Sequence, residues 1–288
     1  MLPTNSDPRA YWRTLLILGR TSNLPTVWSN CVAGWLLGGG GNWGNLGFLF
    51  VGGTLLYIGG MFLNDAFDAV FDRQYRHERP IPSGAISLPE VWAWGVAWLG
   101  LGLGCLAFPG AGTFGLGLAL VAAILIYDAF HKLVSFSPVL MALCRVLLYL
   151  VASSTAVRGV TGLALWSALA LGAYIVGLSY LARRESTGRG WQQWPLLLLA
   201  LPYLLAFLVN GSGYVFAATA SALILLAWTS RSLWFSYRAT NRNVGRSVAG
   251  LLAGIVLVDL LAVGGEACLL FALFFGMALF FQRFIPAT

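Results

Sequence analysis

The most informative stretch of the chain is residues 64–84, which read NDAFDAVFDRQYRHERPIPSG. Its aspartates Asp65, Asp68 and Asp72 stand at positions i, i+3 and i+7. On a helix with 3.6 residues per turn, this spacing brings the three carboxylates onto one face across two turns, with Asn64 beside them. The stretch begins inside an apolar segment over 46–70. The pattern therefore predicts an apolar helix with a strongly acidic face at one end.

Outside this stretch the chain is mostly apolar. Of its 288 residues, 59% are hydrophobic and 9% are charged, and the mean hydropathy is +0.80. Soluble domains carry about 25% charged residues, so this composition excludes a soluble globular protein. Only helices and closed barrels satisfy their backbone in lipid, and the chain lacks the strict alternation of a barrel. We predict an all-α, polytopic integral membrane bundle, with residues 1–288 forming one transmembrane domain.

Ten apolar segments follow one another along the chain. Most of them approach the ~20 residues that a helix needs to span a bilayer. We therefore expect nine to ten transmembrane helices, and the segments are 13–37, 46–70, 90–107, 113–130, 134–157, 160–181, 194–209, 213–233, 247–263 and 267–283.

Basic residues concentrate in alternate connections. The N-terminus and the connections around 71–89 and 182–193 hold several arginines, whereas the intervening connections hold almost none except Arg158. By the positive-inside rule, the N-terminus and the basic loops face the cytoplasm, and ten spans are favoured over nine. We expect a multi-pass protein of a bacterial inner membrane. The positive-inside rule then explains the net charge of +7. No nucleic-acid partner is expected, because the basic residues are scattered.

The acidic face predicts a cation site. A charged side chain within a span costs on the order of 2.5–3.5 kcal/mol at the helix centre, so clustered aspartates imply a compensating cation or a water-filled cavity. Carboxylate and amide oxygens suit a hard ion, and Mg²⁺ typically binds one or two carboxylates together with substrate phosphates. The arginines that follow the aspartates are well placed to hold phosphate oxygens.

Other polar residues of the sequence support weaker predictions about contacts and helix ends. Asp128 and Lys132 stand at i and i+4, which fits either an ordinary helix salt bridge or a part in the site. Arg145 lies well inside a span and should face the bundle interior, because an unpaired charge in lipid is costly. Asp259 also lies in a span, nearer its outer end, and receives no assignment. Ser87 begins a capping box and should start a helix.

Three Gly-x-x-x-Gly pairs are expected to bring neighbouring helices into close contact. They are Gly34 with Gly38, Gly100 with Gly104, and Gly250 with Gly254.

The motif Asn-Asp-x-x-Asp-x-x-x-Asp, followed by Arg and then Arg-Pro-Ile-Pro-Ser-Gly, resembles the first aspartate-rich motif of the UbiA superfamily of intramembrane prenyltransferases. Weaker similarity extends to Arg20 and Asn23, to Tyr127 with His131 and Lys132, and to Tyr180. The segment 179–185, which reads SYLARRE, is similar to the UbiA-like branch of bacterial ebo gene clusters.

The resemblance implies a bundle around a central cavity in which Mg²⁺ and the diphosphate of an isoprenoid donor bind. It assigns the metal to Asp65, Asp68 and Asp72 and a supporting role to Asn64. It also implies diphosphate contacts from Arg73, Arg79 and Lys132. We predict further diphosphate contacts at Arg76, Arg183 and Arg184, and other cavity positions at Asn23, Tyr127, Tyr180 and Glu185.

One departure from the family pattern lies after Tyr180. Where the family carries a second set of aspartates, this chain has Arg183, Arg184 and Glu185. Either these arginines neutralise the diphosphate directly, or the site binds without completing the reaction.

The leading hypothesis is thus a prenyltransferase that passes a polyprenyl group to a lipophilic acceptor, for example an aromatic one. The alternative is a degenerate relative that binds or carries an isoprenoid or other lipophilic compound. An ion-coupled transporter is a third and weaker hypothesis, because no inverted repeat of broken helices is visible.

Overall fold

The computed structural model describes residues 8–187, 194–209, 214–237, 243–264 and 267–286. All regular elements in these ranges are helical, which confirms the all-α prediction. The α-helices are α1 (Pro8–Leu18), α2 (Leu24–Leu37), α3 (Trp43–Tyr75), α4 (Leu88–Ala107), α5 (Ala111–Phe130), α6 (Ser137–Ser154), α7 (Gly162–Thr187), α8 (Trp194–Val209), α9 (Val215–Tyr237), α10 (Val244–Val263) and α11 (Cys268–Phe281).

Seven of the described helices are long and apolar enough to cross a membrane. These are α3 to α7, α9 and α10, whereas α8 and α11 are apolar but shorter. The predicted count of nine to ten spans is therefore not confirmed. Each of the ten apolar segments nevertheless coincides with helical structure.

The first predicted span, over 13–37, is not one helix. The helix α1 ends at Leu18, a 3₁₀ turn covers Thr21–Asn23, and α2 begins at Leu24. At the break, Arg20 adopts a left-handed conformation with φ 42° and ψ 48°, which residues other than glycine rarely adopt. This conformation places the Arg20 guanidinium 3.3 Å from both Asn64 and Asp65. One ion–dipole contact with Asn64 and one ion pair with Asp65 thus accompany this strained backbone conformation.

The helix α3 positions the acidic face. Its 33 residues extend over about 50 Å, which exceeds the ~30 Å hydrocarbon thickness of a bilayer. Asn64, Asp65, Asp68 and Asp72 are all buried on its last turns. We call this end of the bundle the acidic end. The chain then turns through 76–87, and Ser87 caps α4 as predicted, since its hydroxyl accepts from the Glu90 amide.

Glycines determine how closely the helices approach. A Cβ at Gly34 would lie 2.6 Å from the Tyr149 carbonyl, so α2 packs directly on α6 at this point. The pairs Gly34/Gly38 and Gly250/Gly254 behave as predicted. The prediction for Gly100 and Gly104 is wrong, because nothing among the described residues lies within 4 Å of a Cβ placed there.

The contact between α3 and α4 uses other glycines. The backbone carbonyls of Gly95 and Gly102 on α4 lie 3.0 Å from a Cβ placed at Gly59 and Gly52 on α3. These positions are seven residues apart on each helix, so a search for spacings of four does not find them. The result is a close α3–α4 pair beside the acidic end.

Candidate active site

Asp65 is held by two arginines from different segments. The Arg20 Nη2 atom lies 3.3 Å from Asp65 Oδ1, and Arg79 Nη1 lies 3.8 Å from the same oxygen. Burial opposes the charge on Arg20, but the Asp65 carboxylate and other neighbouring oxygens outweigh it and leave the pKa of Arg20 raised. Arg20 is therefore a cation at the acidic end, although it precedes Asp65 by 45 residues.

Asp68 is held by the connector between α5 and α6. Lys132 Nζ lies 2.7 Å from Asp68 Oδ1, and His131 Nε2 lies 3.4 Å from it. The same ammonium sits over the Phe71 ring, 3.9 Å from its centroid. The interpretation of Asp128 and Lys132 as an ordinary helix salt bridge is wrong, because α5 ends at Phe130 and Lys132 turns to α3.

Asp128 instead faces Asn64. The Asn64 amide nitrogen donates to Asp128 Oδ1 at 3.1 Å, while its carbonyl oxygen accepts from Arg20 Nη2 at 3.3 Å. An amide that donates on one side must present its oxygen on the other. Asp128 thus fixes which atom Asn64 turns towards Arg20.

At the acidic end, two buried carboxylate oxygens lack a hydrogen-bond partner among the described residues. They belong to Asp72 (Oδ1) and Asp128 (Oδ2). Buried polar atoms are almost always satisfied in native proteins, so such atoms at a site call for a ligand, water or ion. Within the described ranges, no three Asp, Glu, His or Cys side chains converge into a ready-made metal site.

The predicted arginines after α3 differ in exposure. Arg73 and Arg76 are exposed, and the Arg76 guanidinium lies 5.9 Å from the Phe71 centroid. Only Arg79 is partly buried and contacts an aspartate of the acidic face. The structure thus brings Arg79 and Lys132 to the carboxylates and leaves Arg73 and Arg76 at the rim.

The end of α7 contacts backbone rather than carboxylates. Arg183 Nη1 donates to the Ser135 carbonyl and Nη2 to the His131 carbonyl, both at 2.8 Å. The Tyr180 hydroxyl also donates to the Ser135 carbonyl, at 3.3 Å. Arg183 and Tyr180 therefore hold the connector that carries His131 and Lys132, and a direct contact between Arg183 and a diphosphate stays a prediction. The side chains of Arg184 and Glu185 lie outside the described residues.

The two remaining predicted positions lie near this cluster. Asn23 is buried at the end of the 3₁₀ turn that follows Arg20. Tyr127 stacks on His131 with ring centroids 5.0 Å apart.

Residues 23–245, more than three quarters of the chain, match the sequence profile of the UbiA prenyltransferase family. The chain belongs to the UbiA prenyltransferase family. A digeranylgeranylglyceryl phosphate synthase of Methanoregula boonei is 36% identical over 92 residues, which covers 27% of this chain and 32% of the relative. The match thus spans about a third of that relative's length.

Solved structures of UbiA homologues share the fold. A UbiA homologue from Aeropyrum pernix K1 in its apo form has a TM-score of 0.63 at 17% identity, over 84% of this chain and 96% of the other. A UbiA homologue from Archaeoglobus fulgidus bound to GPP and Mg²⁺ has a TM-score of 0.54 at 16% identity, over 92% and 98% of the two chains. The narrower assignment to an ebo-cluster branch stays a prediction.

Sequence reasoning missed three residues of this UbiA-like site. The resemblance includes Arg20 and His131 but assigns them no role, and for Asp128 the sequence leaves open either a salt bridge with Lys132 or a part in the site. Their roles depend on tertiary contacts between residues that are 44 to 64 positions apart in the sequence, and no local sequence pattern reports such contacts. A polar residue inside an apolar segment, such as Asp128, is the sequence feature that could have identified such a contact.

Proposed function

We propose that this protein is a membrane prenyltransferase that transfers a polyprenyl group from a prenyl diphosphate to a lipophilic acceptor. The observation that carries the proposal is the convergence of α3, the Arg20 turn, the Arg79 segment and the α5–α6 connector at the acidic end. Two of the three buried carboxylates there, Asp65 and Asp68, contact Arg20, Arg79 and Lys132. Such a mixture of acids and cations suits a ligand that combines a hard metal ion with phosphate oxygens.

The donor set at the acidic end fits Mg²⁺. Asp65, Asp68 and Asp72 would hold the ion, and the buried Asp72 Oδ1 without a partner supports this role. When bound, Mg²⁺ would supply Lewis-acid stabilisation of charge on the departing diphosphate. The UbiA homologue from Archaeoglobus fulgidus whose structure contains GPP and Mg²⁺ supports the same ligand pair.

The cations now paired with aspartates would bind the diphosphate. Arg20, Arg79 and Lys132 each contact a carboxylate that the metal would occupy, so their N–H groups would turn to phosphate oxygens. Arginine suits this role because its planar fork matches phosphate geometry. The exposed Arg73 and Arg76 would meet the diphosphate at the rim, and we propose Arg184 as a further contact.

In the reaction, the bond between the prenyl carbon and the diphosphate oxygen breaks, and the electron pair leaves with the diphosphate. A nucleophilic atom of the acceptor bonds to that carbon and loses its proton. Arg20, Arg79 and Lys132 stabilise the charge that develops on the leaving group. The buried apolar cluster of α2, α3 and α6, which includes Val27, Leu56 and Leu148, would keep water away from the allylic cation.

We also propose a topology for the bundle. If α2, α8 and α11 cross the bilayer as short helices beside the seven longer ones, the chain has ten spans and both ends lie on one side. The arginine-rich connections then place the acidic end in the cytoplasm.

The decisive experiment is release of pyrophosphate from geranylgeranyl and longer prenyl diphosphates by purified protein with a lipid extract of its host. Release that requires both Mg²⁺ and Asp68 supports the proposal. Its absence in the wild type, together with tight Asp68-dependent binding of the diphosphate, contradicts it.

A specific observation favours a second function, that of a carrier. At the end of α7, Arg183 donates to backbone carbonyls. The family carries its second set of aspartates at this place, so this chain lacks one metal-binding element of the family pattern. The carrier would bind an isoprenoid compound at the acidic end without breaking its carbon–oxygen bond. The pyrophosphate assay separates the two functions.

A further inference from the structure

Two arginines on neighbouring membrane-spanning helices face outwards. Arg231 lies on α9 and Arg246 on α10, and both helices are long and apolar enough to cross a membrane. Both side chains are exposed. Arg145 on α6 differs, because its guanidinium donates to Asn30 Oδ1 at 2.7 Å and to Thr26 Oγ1 at 3.1 Å and so faces the bundle interior, as predicted. We call Arg231 and Arg246 the arginine pair.

The arginine pair meets at one aromatic ring. Arg246 Cζ lies 4.1 Å from the Phe235 centroid, and Arg231 Cζ lies 5.6 Å from the same centroid. Arg231 Cζ also lies 5.0 Å from the Trp228 centroid. Since the first two distances share one centroid, the two guanidinium carbons are less than about 10 Å apart, which does not exceed the Debye length at 0.1 M salt. Two like charges are thus held at a range where they repel each other.

The protein supplies no counter-charge at this place. All ion pairs between described residues lie at the acidic end. Residues 186–258 contain five arginines and neither Asp nor Glu. The first turn of α10, where the helix dipole adds partial positive charge, also has no acid. Because an uncompensated charge in a span is costly, we expect an anion from outside the protein beside the arginine pair.

The depth of the arginine pair indicates where this anion lies. Arg231 precedes the last residue of α9, Tyr237, by six positions, and Arg246 is the third residue of α10. These positions are about 9 Å and 3 Å from the helix ends. At this depth a spanning helix passes from the hydrocarbon core into the headgroup region, and arginine places its charged end at that boundary. The guanidiniums are therefore level with lipid phosphates.

An apolar surface continues from the arginine pair along α9. Ile224 precedes Arg231 by seven residues, so the two side chains lie on one side of the helix, two turns apart. Ile224 and Trp234 are each 52% exposed. Tryptophan favours the membrane–water boundary. A free phosphate would contact the arginines alone, whereas a lipid can also place its acyl chains on this apolar surface.

Hydrogen bonds between α9 and α10 fix the relative position of the arginines. Ser236 Oγ donates to Ser247 Oγ at 2.6 Å, and the Asn243 amide donates to the Phe235 carbonyl at 3.0 Å. The residues that carry Arg231, Phe235 and Arg246 are thus linked directly across the two helices. A ligand at the arginine pair would meet a site that is already ordered.

We infer that the arginine pair binds the phosphate of an anionic phospholipid. The phosphate accepts hydrogen bonds from both guanidiniums and relieves their mutual repulsion, while the acyl chains lie along α9. A zwitterionic phospholipid fits less well, because its amine adds a positive charge beside the arginines. The inference does not depend on the proposed function, since the arginine pair shares no residue with the acidic end.

Lipid retention in native mass spectrometry tests the inference. The full-length protein is placed in nanodiscs of phosphatidylcholine with a small fraction of phosphatidylglycerol, and the lipids that stay bound after ejection from the disc are identified. We expect the wild type to retain phosphatidylglycerol in preference to phosphatidylcholine. Arg231→Gln combined with Arg246→Gln should weaken this retention about 10-fold, because charge-assisted hydrogen bonds to the phosphate are lost.

Two comparisons separate a lipid site from an effect of charge alone. Arg158→Gln is the matched control, since Arg158 is exposed in the connection between α6 and α7, and it should leave the retention unchanged. Replacing both arginines of the pair by lysine keeps every charge but loses the planar fork that matches phosphate. We expect retention to fall about threefold, whereas arginines that only determine topology by the positive-inside rule predict no change.

Thermal melting in the same nanodiscs is a second readout. Phosphatidylglycerol should raise the melting temperature of the wild type, because a ligand that binds only the folded state stabilises it. The increase should be smaller in the variant with two glutamines. If that variant does not fold, the lysine variant and Phe235→Leu, which removes the shared ring, decide the question through the same two readouts.

The inference is overturned if the folded glutamine variant retains phosphatidylglycerol as the wild type does, or if Arg158→Gln lowers the retention equally. Equal retention of phosphatidylcholine and phosphatidylglycerol by the wild type also overturns it. Displacement of phosphatidylglycerol by inorganic phosphate would have the same meaning, because the arginine pair would then be a site for a free anion.

Discussion

The ends of α3 and α7 lie near the same connector but use their charges differently. At the end of α3, buried aspartates contact cations that come from other segments. At the end of α7, Arg183 donates to backbone carbonyls of the connector. Ion pairs can exchange partners when a charged ligand arrives, whereas hydrogen bonds to backbone maintain a shape. We infer that α3 provides the charges that can exchange partners, whereas α7 fixes the connector so that Lys132 contacts Asp68.

The largest effect is expected from Asp68→Ala. Loss of this carboxylate removes a proposed metal ligand and the partner of Lys132, so pyrophosphate release should fall by more than about 10²-fold. Thermal melting in the same nanodiscs should show a folded bundle. A variant that does not fold would instead assign Asp68 a structural role, and the α3 carboxylates would then not differ in role from the end of α7.

Arg183→Gln is expected to act through the connector. Without its two donors, residues 131–136 should exchange amide hydrogens faster, and turnover should fall about tenfold because Lys132 is less well positioned. Arg13→Gln is the matched control, since Arg13 is exposed and has no role in the proposed site. Unchanged hydrogen exchange together with weaker diphosphate binding would contradict the positioning role of α7, because Arg183 would then contact the diphosphate itself.

Asp128→Asn is expected to affect metal dependence. An asparagine at position 128 can donate or accept, so Asn64 is no longer forced to turn its oxygen towards Arg20. Residues that orient metal-site groups typically contribute 10- to 100-fold in metal affinity, and we expect the low end of this range for the Mg²⁺ concentration at half-maximal activity. Binding of Mn²⁺ followed by electron paramagnetic resonance is an independent readout. A loss of thermal stability with unchanged Mg²⁺ dependence would refute this role.

The smallest effects concern the packing that places these helices. Gly34→Ala adds a methyl group 2.6 Å from a backbone carbonyl and should lower stability by about 1–3 kcal/mol. Gly100→Ala adds a methyl group in open space and should change the melting temperature little. Equal melting temperatures for the two variants would contradict the close contact between α2 and α6.

The positions of the helices were predictable because the length of an apolar segment can be read directly from the local sequence. The acidic face over Asp65–Asp72 was predictable for the same reason, since three residues at helical spacing share one face in any surroundings. The break at Arg20 was not, because it depends on the contact of its guanidinium with Asn64 and Asp65. The partners of Asp128 and Lys132 were also not predictable, because the end of α5 at Phe130 directs the two side chains to different residues of α3.

The cancellation of charge at the acidic end has a thermodynamic consequence. Without a ligand, Asp65, Asp68 and Asp72 balance Arg20, Arg79 and Lys132 in formal charge, so a lone divalent cation meets repulsion from the basic groups and a lone diphosphate meets repulsion from the acids. Each ligand relieves the repulsion felt by the other, and this heterotropic coupling is necessarily reciprocal. Under the proposed function, the acidic end would therefore bind the metal–diphosphate complex in preference to a free divalent ion or a free anion.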